Sequence, residues 1–335
     1  MHRSLFRFFW PLGFGCVLLW SSLRADSPGA KAAGAEQPAV EIESLRARAE
    51  AGDNDARFEL GRAYLRGEQV PRNLPEARRL LEPAAAAGHP EAMGAFGVMR
   101  ARGLGVEADA QAGFALIKRS AEAGVVGALL NQGIMTLRGQ GTTTDGPAGL
   151  ALIRRAAELG HVDAQVRLAE AYYFGEGGLV PKSEASAAPW AVKAAEAGHA
   201  WAQNLVGTMK EHGIGLDRDP TGALDAYRQA ARQGDPKAQS NLGRLLHNGV
   251  GVPADRTEAY YWLRASADQG EVTARNFLAE VEAGFTDEQR AAAEDRLRQS
   301  PPPRAGSSTS KRGPGPPIPR DPAPPPRHAA EGGRP

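Results

Sequence analysis

The chain has a single cysteine, Cys16, among 335 residues. It lies within the first 25 residues, so a chain cleaved behind them carries neither a thiol nor a disulfide, although an exported protein would tolerate one. An excess of one charge is missing as well. Forty basic groups against 39 acidic ones give a formal net charge of +1. Residues 1–25 carry Arg3, Arg7 and Arg24 and no acid, and residues 300–335 carry six basic groups and two acidic ones, which leaves 31 basic and 37 acidic groups, a net of −6, between them. A mildly acidic body has no broad surface for a phosphate backbone, which argues against nucleic acid. The longest apolar run, Phe8 to Trp20, has 13 residues, whereas a bilayer-spanning helix needs about 20. Also lacking are a Gly-x-x-x-x-Gly-Lys phosphate loop, a His-Glu-x-x-His zinc helix and a Gly-x-Ser-x-Gly elbow. The expectation is a chain that is not an enzyme and uses neither cofactor nor metal.

The apolar run has the layout of a secretory signal. Arg3 and Arg7 precede it and Ser21-Ser22-Leu23-Arg24-Ala25 follows. Cleavage near Ala25 would place the mature chain in the periplasm or outside the cell, without a transmembrane segment. Lipid anchoring at Cys16 is the weaker alternative. Gly13 and Phe14 suit a lipidation site poorly, and the apolar run continues past the cysteine.

What is present is a repeat. Glycines that end Ala-rich segments fall at Gly52, Gly88, Gly124, Gly160, Gly198, Gly234 and Gly270, in steps of 36, 36, 36, 38, 36 and 36. Marker alanines at Ala56, Ala92, Ala128, Ala164, Ala202, Ala238 and Ala274 keep the same steps. Two markers thus put one two-residue insertion in the same unit. The marker and the mostly apolar residues four and seven places after it, such as Ala56, Leu60 and Ala63, share one helix face, and a small residue such as Gly61 stands five places after it. Glycine inside a helix costs about 1 kcal/mol against alanine, so its return in unit after unit implies close helix packing. Gly67, Gly103, Gly139, Gly175, Gly213 and Gly249 are placed to end the first helix of each unit in a left-handed cap. An alanine three residues before each terminal glycine, Ala85 and Ala121 among them, lines the second helix for contact at about 8–10 Å.

Gly61-x-x-Tyr64-x-x-Gly67, Gly249-x-Gly251-Val252 and the run Ala259–Gly270 resemble the Sel-one-like repeat family, relatives of the tetratricopeptide repeat. The resemblance covers about Val40 to Gln299. It implies an all-α, right-handed solenoid of stacked helix–turn–helix repeats, 36–38 residues each. Some positions depart from the pattern. The family tyrosine is kept at Tyr64 and Tyr172 but becomes Arg100, Thr136, Lys210 and Leu246, and Gln132 replaces a leucine. The implied role is protein binding on a concave face, as an adaptor or regulator in an envelope complex. An immunity protein against a secreted phospholipase of type VI secretion is the alternative. A hydrolase of β-lactamase type is a remoter one, because the relatives credited with it hold each repeat with a disulfide.

The organisation expected is therefore a signal peptide over 1–25, a linker over 26–39, the repeat array over 40–299 and a tail over 300–335. In the tail 12 of 36 residues are proline, so it cannot bury a core and is expected to be disordered. A lone second-type helix over 40–52 and a lone first-type helix over 274–283 close the array. Thr286-Asp287-Glu288-Gln289 signals a further helix to about Gln299.

Five residues stand out as candidate partner contacts. Arg66, Arg102 and Arg138 share one register and form either a ladder that grips acidic groups or cations stabilising the last helical turn. Tyr173 and Phe174 precede the longest loop and serve either as exposed anchors or as cover for that loop. His89, His161 and His199 follow terminal glycines, where Asp53 and Asp235 stand in sister units, which makes them turn residues rather than zinc ligands. Trp201 and Tyr260-Tyr261-Trp262 read as core.

Overall fold

The computed structural model describes residues 37–176 and 179–304. The expected signal peptide, Cys16, most of the linker and the tail from residue 305 lie outside the described residues. Those that are described form fifteen helices and no strand beyond an isolated bridge between Glu176 and Val180. First helices of successive units are α2 (Asn54–Arg66), α4 (Pro90–Arg102), α6 (Val126–Arg138), α8 (Val162–Phe174), α10 (Ala200–His212) and α12 (Pro236–Asn248). Their partners are α3 (Leu74–Ala86), α5 (Ala110–Glu122), α7 (Gly146–Glu158), α9 (Glu184–Glu196), α11 (Pro220–Arg232) and α13 (Arg256–Asp268). The ends are α1 (Gln37–Glu50), α14 (Val272–Ala283) and α15 (Asp287–Gln299). The expected terminal helices are all present.

Helix starts follow from short polar side chains that take orphan amide protons. Asp53 accepts from the amides of Asp55 and Ala56, and Asp235 from Ala238. His89 and His161 do the same through Nδ1, accepting from Ala92 and Ala164 at 3.2 and 3.4 Å. Those histidines are therefore helix caps, and among the described residues no cluster of three or more potential ligands could hold a metal. The second helices begin on Asn73, Asp109, Asp145, Ser183, Asp219 and Asp255, each accepting from the amide three residues on. Two of the four departures from the family tyrosine are explained by these caps. Arg100 donates to Asp109 at 3.1 Å and Lys210 to Asp219 at 3.2 Å. Cation and carboxylate replace a phenol that elsewhere takes a proton from an arginine, Arg46 on Tyr64 and Arg154 on Tyr172.

Five of the six expected left-handed glycine caps are left-handed, with φ of 67–72°. Gly175 is the exception, with φ 74° and ψ 160°. Its extended ψ sends the chain out into the longer loop, which then closes on itself through Glu176 and Val180, paired at 3.0 Å and 3.3 Å.

Glycines on facing helices set the spacing within a unit. A Cβ on Gly97 of α4 would lie 2.8 Å from Ile117 Cγ1 and 2.9 Å from the Gly113 carbonyl, and one on Gly113 of α5 would lie 2.6 Å from the Gly97 carbonyl. Gly133 and Gly149 repeat the arrangement between α6 and α7. First helices form the enclosed layer. No residue of α4 or α6 is exposed, whereas α5 and α7 turn a wide polar side outward. At the C-terminal end α15 lies on α13 rather than pairing with α14. Its Ala293 is buried with Tyr260, Leu263 and Leu278, and Arg296 stands over the Tyr261 ring at 4.7 Å. The capping box at Thr286 and Gln289 forms in both directions.

Candidate interaction surface

In a stack of helix pairs, residues three and six places after each marker alanine share one face of the first helix and meet their counterparts in the next unit. In units 2 and 3 that stripe is Ala95, Val98, Asn131 and Ile134, all buried. Here the first helices seal against one another. In units 4 to 6 the stripe is Arg167 and Glu170, Leu205 and Thr208, and Asn241 and Arg244, polar but for the buried Leu205.

Two charged groups organise it. In unit 4, Arg167 is buried and donates to Glu176 at the start of the long loop, and lies 4.0 Å from Glu170. Arg138, one unit earlier, reaches the same Glu176 at 3.9 Å. One loop carboxylate thus ties α6 to α8. Burial pushes the Glu170 carboxyl up to about 7 against the pull of Arg167. Its side chain keeps 21% of its surface open. In unit 5, Glu211 receives two hydrogen bonds from Arg244 of unit 6, at 2.8 and 2.7 Å, and a third from the Tyr227 hydroxyl at 2.9 Å. Burial raises the Glu211 carboxyl, but these bonds outweigh it and hold the group below its usual range. Asn241 donates to Asn204 at 3.0 Å beside them.

The residues singled out from the sequence are only partly brought together. Arg66 is half-buried against its own loop, 3.4 Å from Glu68, with 10% of its side chain exposed. Arg102 is half-buried at the end of α4. Arg138 joins the Glu176 group. Tyr173 packs on the core of Ala188, Leu205 and Met209, while Phe174 is 47% exposed and meets the Tyr173 ring edge-on at 4.9 Å. Leu179 and Ile214 are the other exposed apolar groups on the loops of units 4 and 5. Glu170, Glu176, Glu211 and Arg244 were not legible as site residues. A signal existed: a charge at a register filled by Val98 and Ile134 in sister units.

Helix pairs stacked in tandem define a class of repeat scaffold. The sequence pattern of the Sel1 repeat matches residues 54–89, 90–125, 127–161, 162–199, 202–235 and 236–271. The chain belongs to the Sel1 repeat family. It is similar to c5321, a protective antigen of uropathogenic Escherichia coli strains displaying an SLR fold, with 30% identity and a TM-score of 0.64 over 77% of this chain and 56% of that one. A Sel1 repeat protein from Oxalobacter formigenes is 29% identical, with a TM-score of 0.62 over 73% of this chain and 70% of its own. Chitin synthase regulatory factor 3 of Schizosaccharomyces pombe is 44% identical over 69 residues, 21% of this chain and 7% of that protein. The chain therefore spans less than two thirds of the first of these structures and a small part of the yeast protein.

Proposed function

We propose that this chain is a non-catalytic protein-binding module of the bacterial envelope, exported through its N-terminal signal, whose partner seats on the inner face of units 4 to 6. The observation that carries the reading is the change in the inner stripe. It is buried in units 2 and 3, through Ala95, Val98, Asn131 and Ile134, and in unit 4 it carries the charges of Arg167 and Glu170, with the exposed Phe174 one turn further along α8. Fixed charges next to an exposed aromatic suit contact with a protein side chain or loop. Among the described residues no helix is long and apolar enough to cross a membrane.

The test is capture from an envelope extract on immobilised residues 26–335, against Phe174→Ser and Arg102→Glu variants. Phe174 is 47% exposed, and its change to serine should alter stability by no more than about 0.5 kcal/mol, while the half-buried Arg102 serves as a control outside units 4 to 6. Retention of one stoichiometric protein by the native chain, and its loss on Phe174→Ser, is the expected result. Equal capture by all three chains would refute the placement. Capture of a lipase would favour the immunity role over the adaptor role.

A further inference from the structure

The array ends in a feature that its repeat units lack. Gln165, Gln203 and Gln239 each stand one place after a marker alanine, and each donates through Nε2 to the carbonyl eight residues back, at 3.2 Å. Each Nε2 has a second proton. In unit 5 it goes to Gln229 Oε1 at 3.2 Å, while Gln203 Oε1 accepts from Gln233 at 2.7 Å. In unit 6 the acceptor is again supplied, because Gln269 donates to Gln239 Oε1 at 2.8 Å. The residue in the register of Gln229, however, is Ala265, which has no side-chain oxygen. The vacated place is filled by main chain: Gln239 Nε2 donates to the carbonyl of Pro303 at 2.7 Å. The next residue, Arg304, lies 3.9 Å from Asp268, which also takes a hydrogen bond from Arg264 at 3.1 Å. Pro301 and Pro302 line a cleft of about 370 Å³ with Tyr260 of α13 and Leu297 of α15. Residues 300–304, assigned by composition to the tail, thus form a strap on the last unit.

The strap reads Pro301-Pro302-Pro303-Arg304, and the same four residues recur as Pro324-Pro325-Pro326-Arg327. We propose that the notch formed by Gln239, Asp268, Tyr260 and Leu297 is a binding site for Pro-Pro-Pro-Arg segments, and that Pro324–Arg327 of the same chain is its second occupant. The chemistry is suited to such a ligand. A proline segment holds itself extended and loses little entropy on docking. It has no amide protons to satisfy, so a donor reading its carbonyl is the right complement. A carboxylate one residue on selects arginine. A further stretch, Pro317-Ile318-Pro319-Arg320, places isoleucine at the position of Pro302, one of the residues lining the cleft, and is the weaker match. In the native chain the nearer copy dominates, since closing a loop of about 25 residues rather than about two disfavours the distant copy roughly 40-fold. With the nearer copy disabled, tethering still supplies the second at an effective concentration of about a millimolar.

The experiment uses the full chain and follows the Gln239 side-chain amide by NMR, identified with Gln239→Asn. One variant disables the first copy by Pro301→Gly, Pro302→Gly and Arg304→Glu. A second variant adds Pro324→Gly, Pro325→Gly and Arg327→Glu. Pro301, Pro302 and Arg304 lie outside the described helices. The first variant should keep the native Gln239 resonance, and the second should lose it. A synthetic peptide spanning residues 322–329 should restore it to the second variant. If the first variant already shows the full shift, or the second shows none, or the peptide restores nothing, the proposal is overturned.

Discussion

Replacing Glu170 by glutamine should stabilise this protein above neutral pH and leave it unchanged in mild acid. The carboxyl sits on α8 among Arg167, Glu176 and Arg138, and burial raises it to about 7 from an ordinary 4.5. Between those values the folded chain binds the Glu170 proton more tightly than the unfolded chain does. The stability this contributes is fully present below about pH 4.5 and is lost as pH rises through 7. The rise corresponds to roughly 3 kcal/mol at most, at about 1.4 kcal/mol for each pH unit. Glutamine keeps the shape and cannot ionise. The difference in urea midpoint between Glu170→Gln and the native chain, followed from pH 5 to 8.5 by circular dichroism, should open in favour of glutamine and level off above pH 8. The other titrating groups cancel in that difference. A flat difference curve would refute the reasoning. So would a glutamine variant that loses stability at pH 8, because the ion pair with Arg167 would then outweigh burial.

Other substitutions test the packing. Gly113→Ala should cost roughly 2 kcal/mol in thermal or urea unfolding, although alanine is the better helix former by about 1 kcal/mol, because the added methyl meets Ala101 and the Gly97 carbonyl at 2.6 Å; a neutral or stabilising result would show that the α4–α5 crossing is looser than described. Arg244→Ala should destabilise by about 3 kcal/mol, since it strands the Glu211 carboxylate beside Tyr227. Adding Glu211→Gln should recover much of that loss, and urea titration of both variants reads the difference. Ser266→Ala should cost about 1 kcal/mol, measured as a fall in unfolding midpoint, because the buried hydroxyl donates to the Pro236 carbonyl at 2.6 Å and binds α13 to the start of α12.

Much of this architecture can be read without coordinates, and the reason is redundancy. One seven-residue pattern would be weak, but Gly67, Gly103, Gly139, Gly213 and Gly249 demand the same left-handed backbone at one period, as local sterics dictate. Capping chemistry is local too, so Thr286 and Gln289 announce the last helix by themselves. Gly175 shows the limit. It has the same residue type in the same register, yet its ψ follows the loop beyond it, which Glu176 ties to Arg138 and Arg167 on two separate helices.

The candidate surface divides along the same line. Phe174 is 47% exposed, as one reading of the sequence allowed. Arg66 has the same register as Arg138, but one lies against its own loop and the other reaches the next unit, since only the next unit of Arg138 carries a glutamate at the start of its loop. Periodicity, caps and the order of helices belong to the sequence alone, because each depends on residues within one or two turns. Which carboxylate is buried, which glutamine proton is left for Pro303 and which face is sealed were decided only by tertiary structure. Each of those depends on a partner 30 or more residues away, as with Arg244 on Glu211 or Pro303 on Gln239.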